Sequence, residues 1–585
     1  MNYYSDEKDW QWLFRNAMDW DKILPLYYPS FPTEDGFNNK EEVIDFLEEI
    51  LINTGAWTGT SVTDRAAALD RDGAGTVVDG RTIPGEHLQA LYKEAIELEM
   101  IGLPFPQELG GMGAPTSLLL IVLAQLSRAC LGSSTQLAFF TSIGEMIHRF
   151  CDHDTAHRLV PKIARGEISG SMCLTEPGCG SDLGMIKTSA TPTEDGKYLL
   201  NGSKIFITNG GGGLGFVLAR IKGDKEGLEG ISMFLAEQEI EGKEGLNYIV
   251  AKNEEKMGMH GSFTCEVVYE NSEATLVGEA GQGFKYMLHL MNEARIAVGM
   301  QALGTIEGSL GYAVKYAQER EQFGKPLSEL PLMKRNLSDY TTERDAIRAL
   351  LMDTISHFDI FQRLDYKKNT TNDLTKDEEV LFQDATLWTR KRTPLVKYYA
   401  CEAATLLSQR AIQVLGGYGF MQEYPVERYH RDSYGPLLYE GTSQIQALMA
   451  LKDIMKYAMK DPKRFFSNVL FKHPTADLLN GSNDWSKTFK STHYRFKKKM
   501  LGLLMKCLRP EIGKLFDPKS WASDENVSEL MEHAETLCQA LSYMETLRVL
   551  CEHANKDQSR KDLFDRYVVL ITPRLEAIYS DWSIR

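Results

Sequence analysis

The hydrophobic period of this chain changes twice, and this limits its possible folds more than any other feature. From residue 1 to about 165, apolar residues recur at helical spacing. From about 166 to 278 they form short alternating runs separated by Asp195-Gly196, Asn201-Gly202 and Asn209-Gly210, which are typical of hairpin turns. The helical period returns at about 279 and persists. The sequence therefore predicts a mainly α protein with a compact all-β insert.

These changes of period predict four parts: a helical domain at 1–165, the β domain at 166–278, a helical bundle at 279–460 and a helical extension at 461–585. In the bundle, we expect one long helix over 284–320, and further helices over Pro331–Leu364, Lys376–Gln413 and Ile445–Met459. The segments 70–82 and 416–444 are rich in glycine and are predicted to be loops.

Charge and cysteine content exclude several classes of protein. The chain has 585 residues, with 65 Lys and Arg against 81 Asp and Glu, and this acidic balance disfavours a nucleic-acid surface. The nine cysteines form no CxxC pair, so we expect reduced thiols and no metal site. The N-terminus lacks the pattern of a signal peptide, and the longest apolar run is too short to cross a bilayer. We expect a cytoplasmic protein.

One glycine pattern imitates a dinucleotide-binding motif. Gly210, Gly212 and Gly215 satisfy GxGxxG after a strand-like run. That motif needs a helix next, because the helix N-terminus binds the pyrophosphate. The residues that follow, FVLARIKG, alternate as a strand does. We therefore expect a flexible hairpin at this point.

Two segments of the β domain have features of a cofactor site. In MCLTEPGCGSD, residues 172–182, a proline–glycine turn exposes backbone N–H groups beside the hydroxyls of Thr175 and Ser181, an arrangement that can bind an anion. In KIFITNG, Phe206 and Thr208 are two residues apart on one face of a strand and would suit a stacked heteroaromatic ring.

Glu440 is the candidate catalytic base. It lies between an apolar run and a Gly-Thr-Ser turn in LLYEGTSQIQ. If its side chain is buried, desolvation raises its pKa towards neutrality, which suits a general base. The alternative from the sequence alone is an exposed loop glutamate.

Taken together, the motifs resemble those of the acyl-CoA dehydrogenase family over about residues 85–460. They occur in the order PFPQELGGMGAP, MCLTEPGCGSD, KIFITNG, MGMHGSFTCEVVYE, REQFG, QVLGGYGF and YEGTSQ. The resemblance implies a helical domain, a β-barrel, a four-helix bundle and a C-terminal helical extension. The added length is similar to that of the long bacterial branch, which includes 3-methylthiopropanoyl-CoA dehydrogenase-like enzymes.

The resemblance also implies a reaction, the FAD-dependent α,β-dehydrogenation of an acyl-CoA to a trans-2-enoyl-CoA in fatty acid β-oxidation. By this analogy Glu440 removes the α-proton, and a hydride passes from Cβ to flavin N5. Some relatives carry the base on a helix, directly before an arginine that matches Arg295. Here that position is Ala294, which cannot serve, so Glu293 is the next candidate.

Further site residues follow from the resemblance, motif by motif. The flavin and its phosphates would contact Leu174, Thr175 and Ser181, and the ring would lie against Phe206 and Thr208. The rest of the nucleotide would contact Arg320, Gln322, Phe323, Gln413, Gly416, Gly417, Thr442 and Gln444. The substrate would contact Ser181, Arg295, Tyr439 and Gly441.

The resemblance extends to partners. In relatives the set from Arg320 to Gly417 comes from the neighbouring subunit, so we expect a homodimer or a dimer of dimers. The expected electron acceptor is an electron-transfer flavoprotein, and no nucleic acid is expected.

Some features leave alternatives open. Phe206 replaces a common tryptophan, and His260 stands where an arginine is frequent. An acyl-CoA oxidase that uses O₂ remains an alternative, as does a catalytically silent scaffold protein. The extension includes the basic run Lys497–Lys499, which is either a solvated face, a cover for the acyl pocket or part of a dimer contact.

Overall fold

The computed structural model describes residues 1–33, 36–463, 483–511, 513–514, 517 and 520–584. The segment KHPTADLLNG of the predicted extension, at 472–481, lies outside these residues. The rest forms a mainly helical protein with a closed β-barrel. Of the described residues, no helix combines the length and the hydropathy needed to cross a membrane.

The N-terminal part is helical, and one short hairpin interrupts it. The 70–82 segment, predicted as a loop, contains strands Gly75–Val78 and Arg81–Pro84, which pair antiparallel. Asp79 and Gly80 form the two-residue turn, both with positive φ, as a type I′ turn requires. The helices are α1 Lys8–Asn16, α2 Trp20–Tyr27, α3 Lys40–Trp57, α4 Thr63–Asp72, α5 Glu86–Glu97, α6 Thr116–Ala129, α7 Leu131–Phe150 and α8 His153–Ala164.

The strands that follow close into a barrel. We number the hairpin strands β1 and β2, and the strands of the barrel follow. They are β3 Ser169–Cys173, β4 Ser189–Pro192, β5 Tyr198–Thr208, β6 Gly213–Ile221, β7 Ile231–Glu237, β8 Ile249–Asn253 and β9 Thr264–Val277. Strand β6 pairs with β4, β4 with β5, β5 with β9, β9 with β7, and β7 again with β6. Strands β3 and β8 add to this ring by pairing with β6 and β9.

The bundle is built on three long helices, as its apolar period predicts. Helix α9 Gly283–Glu319 packs against α6, α10 Pro331–Thr370 and α11 Lys376–Leu415. A short hairpin, β10 Glu321–Gln322 and β11 Lys325–Pro326, joins α9 to α10. Helix α13 Ser443–Lys460 packs against α11.

The prediction of a loop over 416–444 is wrong for half of its length. Helix α12, Val426–Leu438, lies within it. Its sequence contains Gly435 and Pro436, which argue against a helix. Its buried residues Val426, Tyr429 and Ser433 recur every three or four positions, so packing against α9 and α11 outweighs the weak local propensity.

The extension packs on the bundle rather than forming a separate body. Its helices are α14 Asp484–Leu508, α15 Asp524–Met531, α16 Ala534–Lys556 and α17 Lys561–Ile584. Helix α16 lies against α10, α11 and α13. Arg574 of α17 donates to both carboxylate oxygens of the buried Glu343 in α10. The indole of Trp12 in α1 donates to Asp557, 2.8 Å away, so the two ends of the chain meet.

Candidate active site

Glu440 lies in a strained connection between α12 and α13. Its φ is 57°, which is uncommon for a residue with a side chain, and Gly441 follows with a φ of 90°. Thr442 then caps α13, accepting from the backbone N–H of Ile445 at 3.4 Å. Such backbone strain persists only where the surroundings hold it in place.

Three buried side chains hold this connection by its carbonyl oxygens. Arg295 Nε donates to the carbonyl of Glu440 at 3.0 Å. Gln446 Nε2 donates to the carbonyls of both Glu440 and Gly441, each at 3.0 Å. Lys397 Nζ donates to the carbonyl of Gly441 at 2.8 Å. All these contacts reach the backbone, so the Glu440 carboxylate stays free of them.

The carboxylate of Glu440 is half-buried and poorly satisfied. Its Oε2 is buried and has no hydrogen-bond partner among the described residues. Burial raises the pKa of this carboxyl, and the positive charges of Arg295 and Lys397 oppose the rise. A desolvated carboxylate without a donor is a stronger base than one in water.

Tyr439 is tied to two helices by a chain of hydrogen bonds. Its hydroxyl donates to Gln301 Oε1 of α9 at 3.1 Å, and Gln301 Nε2 donates to Thr135 Oγ1 of α7 at 3.2 Å. The residue before Glu440 is therefore fixed against the α7–α9 seam.

Glu293 lies elsewhere on α9. Its Oε2 accepts from Gln362 Nε2 of α10 at 3.2 Å, and burial raises its pKa to about 7. Among the described residues, no hydrogen bond links Glu293 to the connection that carries Glu440.

The predicted cofactor residues of the barrel form one group. The backbone N–H of Ile205 donates to the carbonyl of Thr175 at 2.9 Å, which joins the 172–182 turn to β5. Phe206 is 63% exposed and has a φ of 60°, at a break in the pairing of β5 with β9. Thr208 is half-buried, and Ser181 is exposed. The structure therefore brings Thr175, Phe206 and Thr208 to one accessible place.

A buried ion pair supports this group. Lys204 Nζ, 0% exposed, donates to the carbonyl of Leu174 at 2.9 Å and to Glu176 Oε1 at 2.8 Å. The Glu176 carboxylate also accepts from the backbone N–H groups of Lys187 and Thr188 and from the Thr188 hydroxyl. The network fixes the turn on both sides of Thr175.

The second group of predicted residues lies on an exposed surface at the end of α9 and α11. Arg320, Gln322 and Phe323 are on or beside the β10–β11 hairpin, and Phe323 is 90% exposed. Gln413, Gly416 and Gly417 are exposed at the end of α11. The guanidinium of Arg320 lies 5.9 Å from the ring of Tyr418, which joins the two segments. In the described part of the chain, no hydrogen bond connects this surface to the Phe206 group.

Gln444 makes a contact that the sequence does not indicate. Its Nε2 donates to Glu535 of α16 at 2.9 Å, so a residue expected at the nucleotide is linked to the extension.

Sequence reasoning missed the residues that anchor Glu440. Gln446 and Lys397 are each 0% exposed. Gln446 ends the segment LLYEGTSQIQ but was given no role, and Lys397 lies outside the motifs. One signal was available for Lys397, because it is a single cation in the apolar run PLVKYYA of a helix. Within the described residues, no three His, Cys, Asp or Glu side chains are placed to hold a metal ion.

Comparison with known proteins adds three matching family models. The N-terminal, middle and C-terminal domain models of acyl-CoA dehydrogenases match residues 62–167, 171–272 and 281–455. An acyl-CoA dehydrogenase of Bacillus subtilis is 34% identical over 369 residues, which are 62% of this chain and 89% of the relative.

Two solved structures are also similar. One chain of a structure of the electron transferring flavoprotein of Acidaminococcus fermentans is 28% identical, with a TM-score of 0.58 over 70% of this chain and 97% of that chain. An acyl-CoA dehydrogenase from Bacillus anthracis, complexed with FAD, has a TM-score of 0.74 at 22% identity over 98% of this chain and 91% of that one. This last likeness shows a common fold that includes the extension.

Proposed function

Because the chain belongs to the acyl-CoA dehydrogenase family, we propose that it converts an acyl-CoA thioester into a trans-2-enoyl-CoA with FAD as cofactor and Glu440 as base. The observation that carries the proposal is the Glu440 carboxylate. Its Oε2 is buried without a partner among the described residues, while three side chains hold the backbone next to it. This arrangement leaves the base free to accept the α-proton.

The residues of the barrel fit a bound flavin. Phe206 presents an exposed aromatic face, and Thr175 and Thr208 present hydroxyls at the same place. A Cβ placed on Gly178 would meet no atom of the described residues within 4 Å, so the turn leaves space for a ligand. When bound, FAD supplies the hydride acceptor. Leu174, Thr175, Ser181, Phe206 and Thr208 would hold it, and the Lys204–Glu176 pair keeps their turn in place.

The thioester would lie between this group and Glu440. Stabilising the charge that develops on the thioester carbonyl needs fixed donors in a site without water. The strained peptide at Glu440 and Gly441, with Tyr439 and Arg295 around it, supplies a rigid frame on which the acyl group is oriented. Ser181 is exposed and would contact the pantetheine part.

The exposed residues at the end of α9 and α11 support a homodimer. Arg320, Gln322, Phe323, Gln413, Gly416 and Gly417 are exposed in one chain, and large apolar side chains beside them, Phe323 and Phe420, are 90% and 79% exposed. Exposed apolar surface of this kind marks an interface. We infer that a second copy covers it and that these residues complete the nucleotide site of that copy, together with Thr442 and Gln444.

The electron acceptor distinguishes the two enzymes that this fold permits. We infer an electron-transfer flavoprotein, in line with the resemblance and with the similar chain in the flavoprotein structure. An oxidase would instead pass the electrons to O₂. Reducing the bound flavin with an acyl-CoA and admitting air separates them, since slow reoxidation supports the dehydrogenase.

The decisive experiment is Glu440→Gln, with Glu293→Gln as its matched control. Glu440→Gln removes the base with little change of volume, so we expect turnover to fall by about 10²- to 10⁴-fold while FAD remains bound. Glu293→Gln should retain turnover. The measurement is flavin bleaching by a panel of straight, branched, cyclic and thioether acyl-CoAs. The proposal is wrong if Glu440→Gln bleaches at the normal rate.

A further inference from the structure

The base and the proposed flavin site belong to different domains of the protein. Glu440 lies in the connection between α12 and α13 of the bundle, whereas Phe206 and Thr208 lie on β5 of the barrel. The proposed reaction takes a proton from Cα and a hydride from the adjacent Cβ, so the base and the flavin must act on neighbouring atoms of one substrate. A misplacement near 1 Å costs about 100-fold in rate. The two domains therefore need a common support.

Helix α7 borders both domains at its N-terminal end. Residues 131–137 are all buried, and the helix packs against α9 and α12 of the bundle and against β3 and β5 of the barrel. Side chains at neighbouring positions of a helix point about 100° apart. Thr135 and Gln136 can therefore bond to different domains although they are adjacent in the chain.

Thr135 is linked to the bundle and to the base. Its hydroxyl accepts from Gln301 Nε2 of α9 at 3.2 Å, and Gln301 Oε1 accepts from the Tyr439 hydroxyl at 3.1 Å. Tyr439 directly precedes Glu440, whose φ of 57° is uncommon. The Thr135 hydroxyl also donates to the carbonyl of Leu131 at 2.9 Å. Thr135 and Gln301 are 7% and 4% exposed, so this link runs through the protein interior.

Gln136 is linked to the barrel and to the proposed flavin site. Its Nε2 donates to Asn209 Oδ1 at 2.6 Å, and Asn209 directly follows Thr208 with a φ of 56°. Asn209 Nδ2 donates to the hydroxyl of Ser169 and to the carbonyl of Gly170 in β3, both at 2.8 Å. Gln136 is 0% exposed and Asn209 is 3% exposed. Buried amides therefore hold the end of β5 at an uncommon backbone angle.

Phe263 completes a ring of hydrogen bonds with the same two side chains. Gln136 Oε1 accepts from the backbone N–H of Phe263 at 3.0 Å, and the Phe263 carbonyl accepts from the backbone N–H of Asn209 at 3.1 Å. Four residues earlier, the backbone N–H of Met259 donates to Asp432 of α12, the helix that leads to the base. The barrel and the bundle are thus joined beside α7 by a second route.

We propose that Thr135 and Gln136 are positioning residues that set the distance between Glu440 and β5, because one turn of α7 carries the hydrogen bonds to both. The inference rests on the proposed dehydrogenase function. It assigns neither residue a contact with the reacting atoms. Breaking either link should leave FAD and substrate bound but let the base and the flavin move relative to each other. The chemical step should then slow while binding persists.

The test compares four variants of α7. Thr135→Val removes the hydroxyl at nearly constant volume, and Gln136→Met removes the amide. The matched control is Thr141→Val, since Thr141 is 2% exposed on the same helix and donates to the carbonyl of Ile101 at 2.8 Å. Thr135→Ser keeps the hydroxyl and should behave as the wild type does. Thr135→Val loses fewer hydrogen bonds than Gln136→Met, so it keeps the test decisive if Gln136→Met does not fold.

Two measurements report the spacing. In single-turnover reduction of the flavin by an acyl-CoA, the limiting rate of Thr135→Val and Gln136→Met should fall by about 10- to 100-fold while the substrate Kd stays unchanged. The second measurement needs no turnover. A 3-oxoacyl-CoA forms an enolate when its α-proton is removed, and an enolate stacked on oxidised flavin gives a long-wavelength charge-transfer band. At saturation this band should weaken in the same two variants and persist in Thr141→Val and Thr135→Ser.

The outcomes separate this inference from the proposed function. If no acyl-CoA reduces the wild-type flavin, the proposed function fails and the inference fails with it. If the wild type is reduced and Thr135→Val keeps both its rate and its band, only the inference fails. Equal losses in Thr141→Val would show a general effect of α7 stability and would also overturn it. Losses that spare Thr141→Val and are reversed by Thr135→Ser support it.

Discussion

Arg295 and Glu440 are joined through the backbone, because Nε of Arg295 donates to the carbonyl oxygen of Glu440 at 3.0 Å and not to its carboxylate. Arg295 is 3% exposed and also donates to Asn292 within its own helix. The guanidinium therefore fixes the strained peptide, and its charge lowers the pKa of the carboxyl that burial raises. We interpret Arg295 as a positioning residue for the base.

Replacing Arg295 by glutamine should affect turnover and its pH dependence together. Loss of the contact lets the peptide at Glu440 move, and a displacement near 1 Å costs about 100-fold in rate. Loss of the positive charge raises the pKa of Glu440, so the acid limb of the kcat profile should shift to higher pH. A pH–rate series measures both effects. An unshifted acid limb would mean that Arg295 has only a structural role.

Gly441→Ala should disturb the same connection from the other side. Gly441 has a φ of 90°, and a Cβ there would come within 2.9 Å of Gln446 Nε2. We expect a loss of about 1–3 kcal/mol in the free energy of unfolding and a lower kcat. The matched control is Gly196→Ala, with a φ of 82° and no atom within 4 Å of the added Cβ, which should be destabilised without loss of kcat. Equal kcat in both variants would contradict the prediction.

Breaking the Lys204–Glu176 pair should lower both the stability of the protein and the amount of FAD that it retains. Lys204→Met leaves a buried carboxylate without its cation, which costs about 3–5 kcal/mol. The turn that carries Thr175 then loses its support, so FAD content after purification should fall. Lys197→Met removes a half-exposed cation from Glu273, which keeps its second partner Lys243, and should cost at most about 1 kcal/mol. Denaturant titration and the flavin absorbance provide the two measurements, and full FAD content in Lys204→Met would argue against this role.

The sequence predicts the parts of the molecule in which local pattern and tertiary packing agree. The long helices α9, α10 and α11 follow from apolar spacing, and the strands of the barrel follow from alternation. Of the three predicted hairpin turns, Asp195-Gly196 joins the paired strands β4 and β5. The other two predictions are wrong: Asn201-Gly202 lies inside β5 at a break in its pairing with β9, and Asn209-Gly210 begins a connection from β5 to β6, which pair with other strands. Helix α12 was missed because its glycine and proline outweigh a short apolar stripe. The β1–β2 hairpin was missed although Asp79-Gly80 is the expected signal for its turn.

The residues of the candidate site also fall into those that the sequence indicates and those that it does not. Glu440 is predictable because it belongs to a recognisable segment. Of its anchors, Arg295 was expected at the substrate from the resemblance. Lys397 and Gln446 were not expected, because they bind backbone oxygens from two other helices, and such contacts leave no trace in sequence spacing.

His260 provides a test of electrostatics outside the candidate site. Its Nδ1 lies 2.9 Å from a carboxylate oxygen of Asp70, and its Nε2 lies 2.8 Å from the carbonyl oxygen of Lys256. Both neighbours accept hydrogen bonds, so the ring is bound as a cation, and the hydrogen bond to Asp70 raises the pKa of His260 to about 9. Arg431 also pairs with Asp70, 2.6 Å away.

The raised pKa fixes the direction of a pH effect on stability. A histidine whose pKa is higher in the folded state than its unfolded value of about 6.5 contributes fully below that value and loses its contribution as pH rises through about 9. Because solvent screens the partly exposed ring, we expect the free energy of unfolding to fall by only about 1–2 kcal/mol between pH 7 and 10. His260→Gln should lack this part of the pH dependence, whereas His260→Arg should stay charged and keep its stability. Parallel denaturant titrations of the three proteins decide the matter, since identical pH profiles for wild type and His260→Gln would show that the imidazole is neutral.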